Sequence, residues 1–122
     1  MRKKIIMVVA LTALLAALVA IPAVAVNKVC GDNAYPCNGT EDNDYLAERV
    51  GSRSDLIYGY HGNDVLDANN YRNDRDRLYG GPQRDTIYTN DGDGRDLAAG
   101  GQGRDVCYVD AGDQTRSCES VR

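Results

Sequence analysis

Between Asp44 and Asp113 an aspartate, in most copies followed two positions later by an aliphatic residue, recurs at steps of 11, 9, 12, 9, 11, 9 and 8 residues. Long and short steps alternate, so the unit that repeats is the pair. Asp44, Asp64, Asp85 and Asp105 are separated by 20, 21 and 20 residues, and Asp55, Asp76 and Asp96 by 21 and 20. A period of about 20 residues holding two short strands and two turns predicts one coil of a solenoid. Every extra residue falls on the same side of the coil, where a turn can lengthen without disturbing stacked strands.

Strand alternation turns one side chain per strand inward. These are Leu46, Ile57, Leu66, Leu78 and Ile87, then Ala98 and Cys107. Such a core is thin. Residues 26–122 hold 14 Leu, Ile, Val or Phe in 97 positions, and the chain's net charge of −4 becomes −7 once Arg2, Lys3 and Lys4 are set aside. That composition ordinarily gives disorder, because burial cannot offset the entropy of ordering the backbone. Something other than apolar contact must hold the coils.

The N-terminal segment explains where the chain works. Met1-Arg2-Lys3-Lys4 precedes an apolar run from Ile5 to Ile21, which Pro22 breaks and Ala23-Val24-Ala25 closes. This is the pattern of a secretory signal peptide over residues 1–25, with a retained membrane anchor as the alternative. After processing no membrane span is expected, and the protein is expected to be secreted. Residues 26–37 are expected to cap the first coil, 38–115 to form the repeats, and 116–122 to cap the last. An oxidising compartment makes disulfides of Cys30, Cys37, Cys107 and Cys118. Three pairings are open; closeness along the chain favours Cys30 with Cys37 and Cys107 with Cys118.

Glycine-rich turns lead into the aspartates of the shorter side. They read Gly59-Tyr60-His61-Gly62-Asn63-Asp64, Gly80-Gly81-Pro82-Gln83-Arg84-Asp85 and Gly100-Gly101-Gln102-Gly103-Arg104-Asp105. These blocks resemble the RTX (repeats-in-toxin) calcium-binding nonapeptides, whose pattern is GGxGxDxUx with U a large aliphatic. The third block matches the first six positions, with Cys107 at the aliphatic place; the first has Tyr60 for the second Gly, and the second has Gln83 for the fourth-position Gly. The resemblance covers roughly residues 38–115. It implies an all-β fold, a parallel β-roll (β-solenoid) of about four coils with disulfide-capped ends. It further implies Ca²⁺ between stacked turns, held by aspartate carboxylates and turn carbonyls.

The residue chemistry agrees with that implication. Ca²⁺ takes roughly six to eight oxygen ligands, and 15 of the 18 acidic residues are Asp. Like charges stacked on successive coils repel unless a cation lies between them. The resemblance assigns the metal to Gly59, Gly62, Asn63, Asp64, Gly80, Gly81, Asp85, Gly100, Gly101, Gly103 and Asp105. Asp44, Asp76, Asp93 and Asp96 extend that set beyond the glycine-rich blocks. The long-turn side departs from the pattern: Gly51-Ser52-Arg53-Ser54-Asp55 and Tyr71-Arg72-Asn73-Asp74-Arg75-Asp76 lack the double glycine. Asn90 to Asp96 is acidic but reads as two residues out of register. Arg53, Arg75, Arg84, Arg95 and Arg104 flank the aspartates and offer a counter-charge that would replace calcium.

No nucleophile–base pair or paired-carboxylate constellation survives, because the period accounts for the aspartates, so no enzyme is expected. His61, the single histidine, reads as a surface turn residue. Negative charge argues against nucleic acid and anionic membranes. The expected function is an exported calcium-binding repeat protein that folds on the ion. The alternative is a surface-adhesion or carbohydrate-binding solenoid, contacting a glycan or cell-surface ligand through Tyr58 and Tyr79 or Tyr88 and Tyr108, with calcium only structural.

Overall fold

The structure, a computed structural model, describes residues 25–30, 36–49 and 54–122. The expected signal peptide, apart from Ala25, lies outside the described residues, as does Arg53. Among the described residues the chain forms eleven short strands and no helix. In order these are β1 (Asn27–Val29), β2 (Cys37–Asn38), β3 (Tyr45–Ala47), β4 (Leu56–Tyr58), β5 (Val65–Asp67) and β6 (Arg77–Pro82). There follow β7 (Thr86–Tyr88), β8 (Leu97–Gln102), β9 (Val106–Tyr108), β10 (Gln114–Arg116) and β11 (Ser120–Val121).

The strands sort by parity into two sheets, β1-β3-β5-β7-β9-β11 and β10-β8-β6-β4-β2. All pairings are parallel. Tyr45, Val65, Thr86 and Val106 stand in one register column, and Leu56, Arg77, Leu97 and Gln114 in another. Each column starts one residue after a repeat aspartate, so the 20-residue period is the rise of one coil. The expected β-solenoid of about four coils is therefore the observed fold. From the second sheet to the first the chain takes six residues after β2 and β4 and three after the longer strands β6 and β8; the returns after β5 and β7 take nine and eight.

Strands β2 to β9 each turn one side chain into the core, and Cys30 and Ala68 join it from outside the strands. Leu46, Ile57, Leu66, Leu78, Ile87, Ala98 and Cys107 are each 0% exposed. The first sheet stacks Leu46, Leu66, Ile87 and Cys107; the second stacks Cys37, Ile57, Leu78 and Ala98. Lys28 holds the place of Leu46 on the outermost strand β1, and Thr115 holds that of Ala98 on β10. Disulfides join Cys30 to Cys37 and Cys107 to Cys118, the pairing that closeness along the chain favours.

The long turns differ from the expected register. Residues 91–96 stack on 71–76: Asn73 N–H donates to Asp93 Oδ2 and Asp76 N–H to Asp96 Oδ1, immediately ahead of the Arg77–Leu97 pair. The acidic turn is thus in register. The turn it stacks on is the longer by one residue: the Asn69 amide donates to Asn90 Oδ1, which leaves Asn70 as the extra position, and Thr89 is buried with its hydroxyl donating to Asp113 Oδ2 at 3.0 Å.

Candidate metal centre

Each repeat aspartate first does a backbone job. Its Oδ1 accepts the main-chain N–H of the equivalent aspartate one coil earlier: Asp44 to Asp64 at 2.8 Å, Asp64 to Asp85 at 2.9 Å, and Asp85 to Asp105 at 2.8 Å. Asp105 N–H completes the row on Glu119 Oε2 at 2.7 Å. The long-turn row repeats the device, from Asp55 to Asp76 at 2.6 Å, Asp76 to Asp96 at 2.8 Å and Asp96 to Asp113 at 3.0 Å. The N–H just before each strand would otherwise be an unmet buried donor, and a charged acceptor satisfies it well. A short side chain reaches back one coil without folding over its own turn, which is why Asp is used.

The second oxygen is left over. Asp64, Asp85 and Asp105 are at most 1% exposed, and Oδ2 of each is buried without a hydrogen-bond partner. Glycine backbone closes around these atoms. A Cβ on Gly80 would meet Asp85 Oδ2 and the Gly100 carbonyl; one on Gly59 would meet Asp64 Oδ2 and the Gly80 carbonyl. Each cradle therefore offers a carboxylate oxygen and the carbonyl of the next coil, with no room for a side chain. Buried carboxylate oxygens with no donor, beside carbonyls, fit a hard cation and little else. Asp44 differs: its Oδ2 accepts Thr40 N–H at 2.5 Å, so the first coil already satisfies it.

The other predicted short-turn residues line the same edge in supporting positions. Gly81 and Gly101 hold φ of +119° and +106°, a region L side chains avoid. Tyr60 and Gln83, which replace glycines of the pattern, keep that geometry at +74° and +84°. Asn63 is exposed, and its Oδ1 accepts Arg84 N–H at 3.0 Å.

The long-turn face gathers carboxylates that the period does not mark. Glu48, Asp55 and Asp76 form one triad, Asp74, Asp76 and Asp96 a second, and Asp74, Asp91 and Asp93 a third. Within each triad one oxygen per residue lies within 4.8 Å of the others. Glu48 is 1% exposed, and neither of its oxygens has a donor; the same holds for both oxygens of Asp74. Glu48, Asp74 and Asp91 escaped the sequence reading. Glu48 carries no signal until the coils are aligned, when it takes the place filled by Ala68 and Thr89, directly after strands β3, β5 and β7.

Burial dominates the titration of both rows. It lifts Asp64 to about 6 and Asp85 to about 7, partly countered by the Asp44 and Asp64 N–H donors and reinforced by neighbouring carboxylates. Asp105 is raised for the same first reason. On the other face burial lifts Asp74 to about 6 and Asp96 to about 7, and Asp91 upward. Glu48 and Asp76, which face each other, are both raised, again first by burial. Without a cation these charges are unfavourable.

Among the described residues arginine does not supply the counter-charge. Arg75, Arg84, Arg95 and Arg104 are exposed, and among the described residues none of them pairs with Asp64, Asp76, Asp85, Asp96 or Asp105. The alternative of an Asp–Arg framework fails at these positions, because each carboxylate is buried along the stack while each guanidinium points to water. His61 is exposed, with Nδ1 2.9 Å from Glu41 Oε2. Tyr58 stacks on Tyr79 at 5.0 Å and Tyr88 on Tyr108 at 4.7 Å, neighbours across adjacent strands as in aromatic reinforcement of a sheet.

A sequence model of the RTX calcium-binding nonapeptide repeat, built of four copies, matches residues 49–70, 72–93 and 90–113, together just over half of the chain. No curated protein and no solved structure matches it.

Proposed function

The chain belongs to the RTX calcium-binding nonapeptide repeat family, and on that premise we propose that it is an exported, non-catalytic protein whose coils assemble on Ca²⁺. The observation that carries this reading is the row of buried, donorless Oδ2 atoms on Asp64, Asp85 and Asp105, set against glycine carbonyls. On the short-turn face the ion would be held between Asp64 and Asp85 and between Asp85 and Asp105, with backbone of Gly59, Gly80 and Gly100. On the long-turn face Asp55, Asp76 and Asp96 would hold it, joined by Glu48. Asp44 is left out of the ligand set, since Thr40 occupies its second oxygen.

When bound, the ion supplies the positive charge that the stacked carboxylates lack. The chain's own part is to hold Oδ1 in the backbone clamp, which fixes Oδ2 in the cradle. Because the cradle exists only when neighbouring coils are stacked, ion binding and folding are one equilibrium. Two disulfides support an oxidising destination, and the basic and apolar start of the sequence supports export.

Circular dichroism in excess chelator and then in millimolar calcium tests the reading, with calorimetric titration giving stoichiometry. Strand signal is expected to appear on adding calcium at neutral pH. Superimposable spectra together with a flat titration would end the proposal.

A further inference from the structure

The outer face of the second sheet carries a basic cleft on an otherwise acidic chain. Residues 26–122 hold eleven Lys or Arg. Four of them, Arg75, Arg77, Arg95 and Arg116, line one cleft of about 430 Å³ together with Tyr79. Stacking of the coils brings them together. Arg77 belongs to the register column Leu56, Arg77, Leu97 and Gln114, and Arg116 to the column Tyr58, Tyr79, Ala99 and Arg116. Arg75 and Arg95 lie one coil apart, each directly ahead of a repeat aspartate. All four are exposed, and among the described residues none forms an ion pair. Asp76 and Asp96 border the cleft too, but each is buried with Oδ1 on a backbone N–H of the preceding coil.

The cleft also has an aromatic wall. Tyr79 stacks on Tyr58 at 5.0 Å, and on its other side the column passes to Ala99, so the ladder ends there and one ring face has no aromatic neighbour. Leu97 adds apolar surface beside it. A tetrahedral oxyanion ester presents three free oxygens to guanidinium groups arriving from several sides, whereas a planar carboxylate is matched by one or two in its own plane. The face of a tyrosine ring is negatively polarised and suits the C–H face of a sugar ring. Repulsion from carboxylates farther off than about 8 Å is screened at physiological ionic strength. We propose that this cleft binds a sugar carrying a sulfate or phosphate ester, with the ester among Arg75, Arg77, Arg95 and Arg116 and the sugar ring against Tyr79.

The inference goes beyond the calcium reading and needs only the stacked coils, so the two are measured separately. Whole chain in millimolar calcium is titrated by amide NMR with glucose-6-sulfate, glucose-6-phosphate, glucose and sodium sulfate, while calorimetry gives its calcium stoichiometry. One or both esters are expected to bind and to shift the amides of 75–79, 95–97 and 114–116, with glucose inert and sodium sulfate weaker; the tighter ester identifies the oxyanion. No binding by either ester, equal binding of glucose, or sodium sulfate that matches the better ester overturns the inference. Arg77→Ala with Arg116→Ala is expected to weaken the ester about tenfold or more while calcium stoichiometry and circular dichroism stay as in the wild type. Should that pair not reach the wild-type spectrum, Leu97→Trp fills the cleft and keeps every arginine, and it too should lose the ester. Unaltered ester affinity in the folded variant overturns the inference. Calcium uptake without ester binding ends this inference and spares the calcium reading; ester binding by a chain that takes up no calcium does the reverse.

Discussion

Both turn faces of the solenoid clamp backbone N–H groups with Asp Oδ1, yet they surround the second oxygen differently. On the short-turn face each coil brings one carboxylate, and glycine backbone closes around it. On the long-turn face extra length lets further carboxylates converge, until Glu48, Asp55, Asp74, Asp76, Asp91, Asp93 and Asp96 form linked triads. The comparison teaches that periodicity and charge do separate work. The period records the clamp, which must recur on every coil, whereas the density of carboxylate depends on how much chain each turn has to spare.

The largest test acts on both faces together. Raised carboxyls bind more protons folded than unfolded, so the calcium-free fold is favoured below about pH 4 and loses that support as pH climbs through about 6 for Asp64 and Asp74 and about 7 for Asp85 and Asp96. Metal-free protein should resist urea better at pH 4.5 than at pH 8, and the folded chain's affinity for calcium should rise over the same range as the carboxyls lose their protons. Greater metal-free stability at pH 8 would contradict the burial of both rows. Asp64→Asn and Asp74→Asn should each flatten the slope, and their shares weigh the two faces.

Next comes the separation of clamp from cradle. Asp85→Ala removes an acceptor for a buried N–H and should cost about 3 kcal/mol in urea titrations, both with calcium and without it at pH 4.5, where the metal-free fold is favoured. Asp85→Asn keeps the acceptor, so without calcium it should recover most of that loss while still weakening calcium binding. Equal losses without calcium for the two variants would remove the clamp from the account. Glycine gives a smaller contrast between faces. Gly80→Ala drives a methyl against Asp85 Oδ2 and the Gly100 carbonyl and should cost about 3 kcal/mol. Gly92→Ala meets only the Arg72 side chain and should cost about 1 kcal/mol for its φ of +107°. The smallest effect is that of Tyr60→Gly, which relieves a φ of +74° but loses the stack on Tyr58 at 5.9 Å, so the thermal stability of the calcium-bound form should change by less than about 1 kcal/mol.

Most of the fold was legible because each half-coil must place one aspartate and one inward side chain at fixed positions. Leu46, Ile57, Leu66, Leu78, Ile87, Ala98 and Cys107 follow from that rule alone, and all are fully buried. The site was legible in outline only. Spacing shows that Asp64, Asp85 and Asp105 stack, but it cannot show that one oxygen of each is taken by a neighbouring N–H. Glu48 was invisible, since its counterparts Ala68 and Thr89 share no chemistry with it. Asp74 and Asp91 gain meaning only once 71–76 and 91–96 are known to lie one above the other, and turn length hid that register.

Lys28 carries a consequence of its own. A stack of parallel strands with open ends is a template for another copy, and growth by end-to-end addition would turn single solenoids into a filament. At the first sheet's outer strand β1, Lys28 sits where an aliphatic would continue the column of Leu46, Leu66 and Ile87; at the second sheet's β10, Thr115 ends the column of Ile57, Leu78 and Ala98. End-to-end addition would bring Val121 of β11, the last member of that column, against Lys28, and desolvating an ammonium against it is unfavourable. The same repetition that lets the coils stack within one chain is thereby disfavoured between neighbouring chains at these two edges.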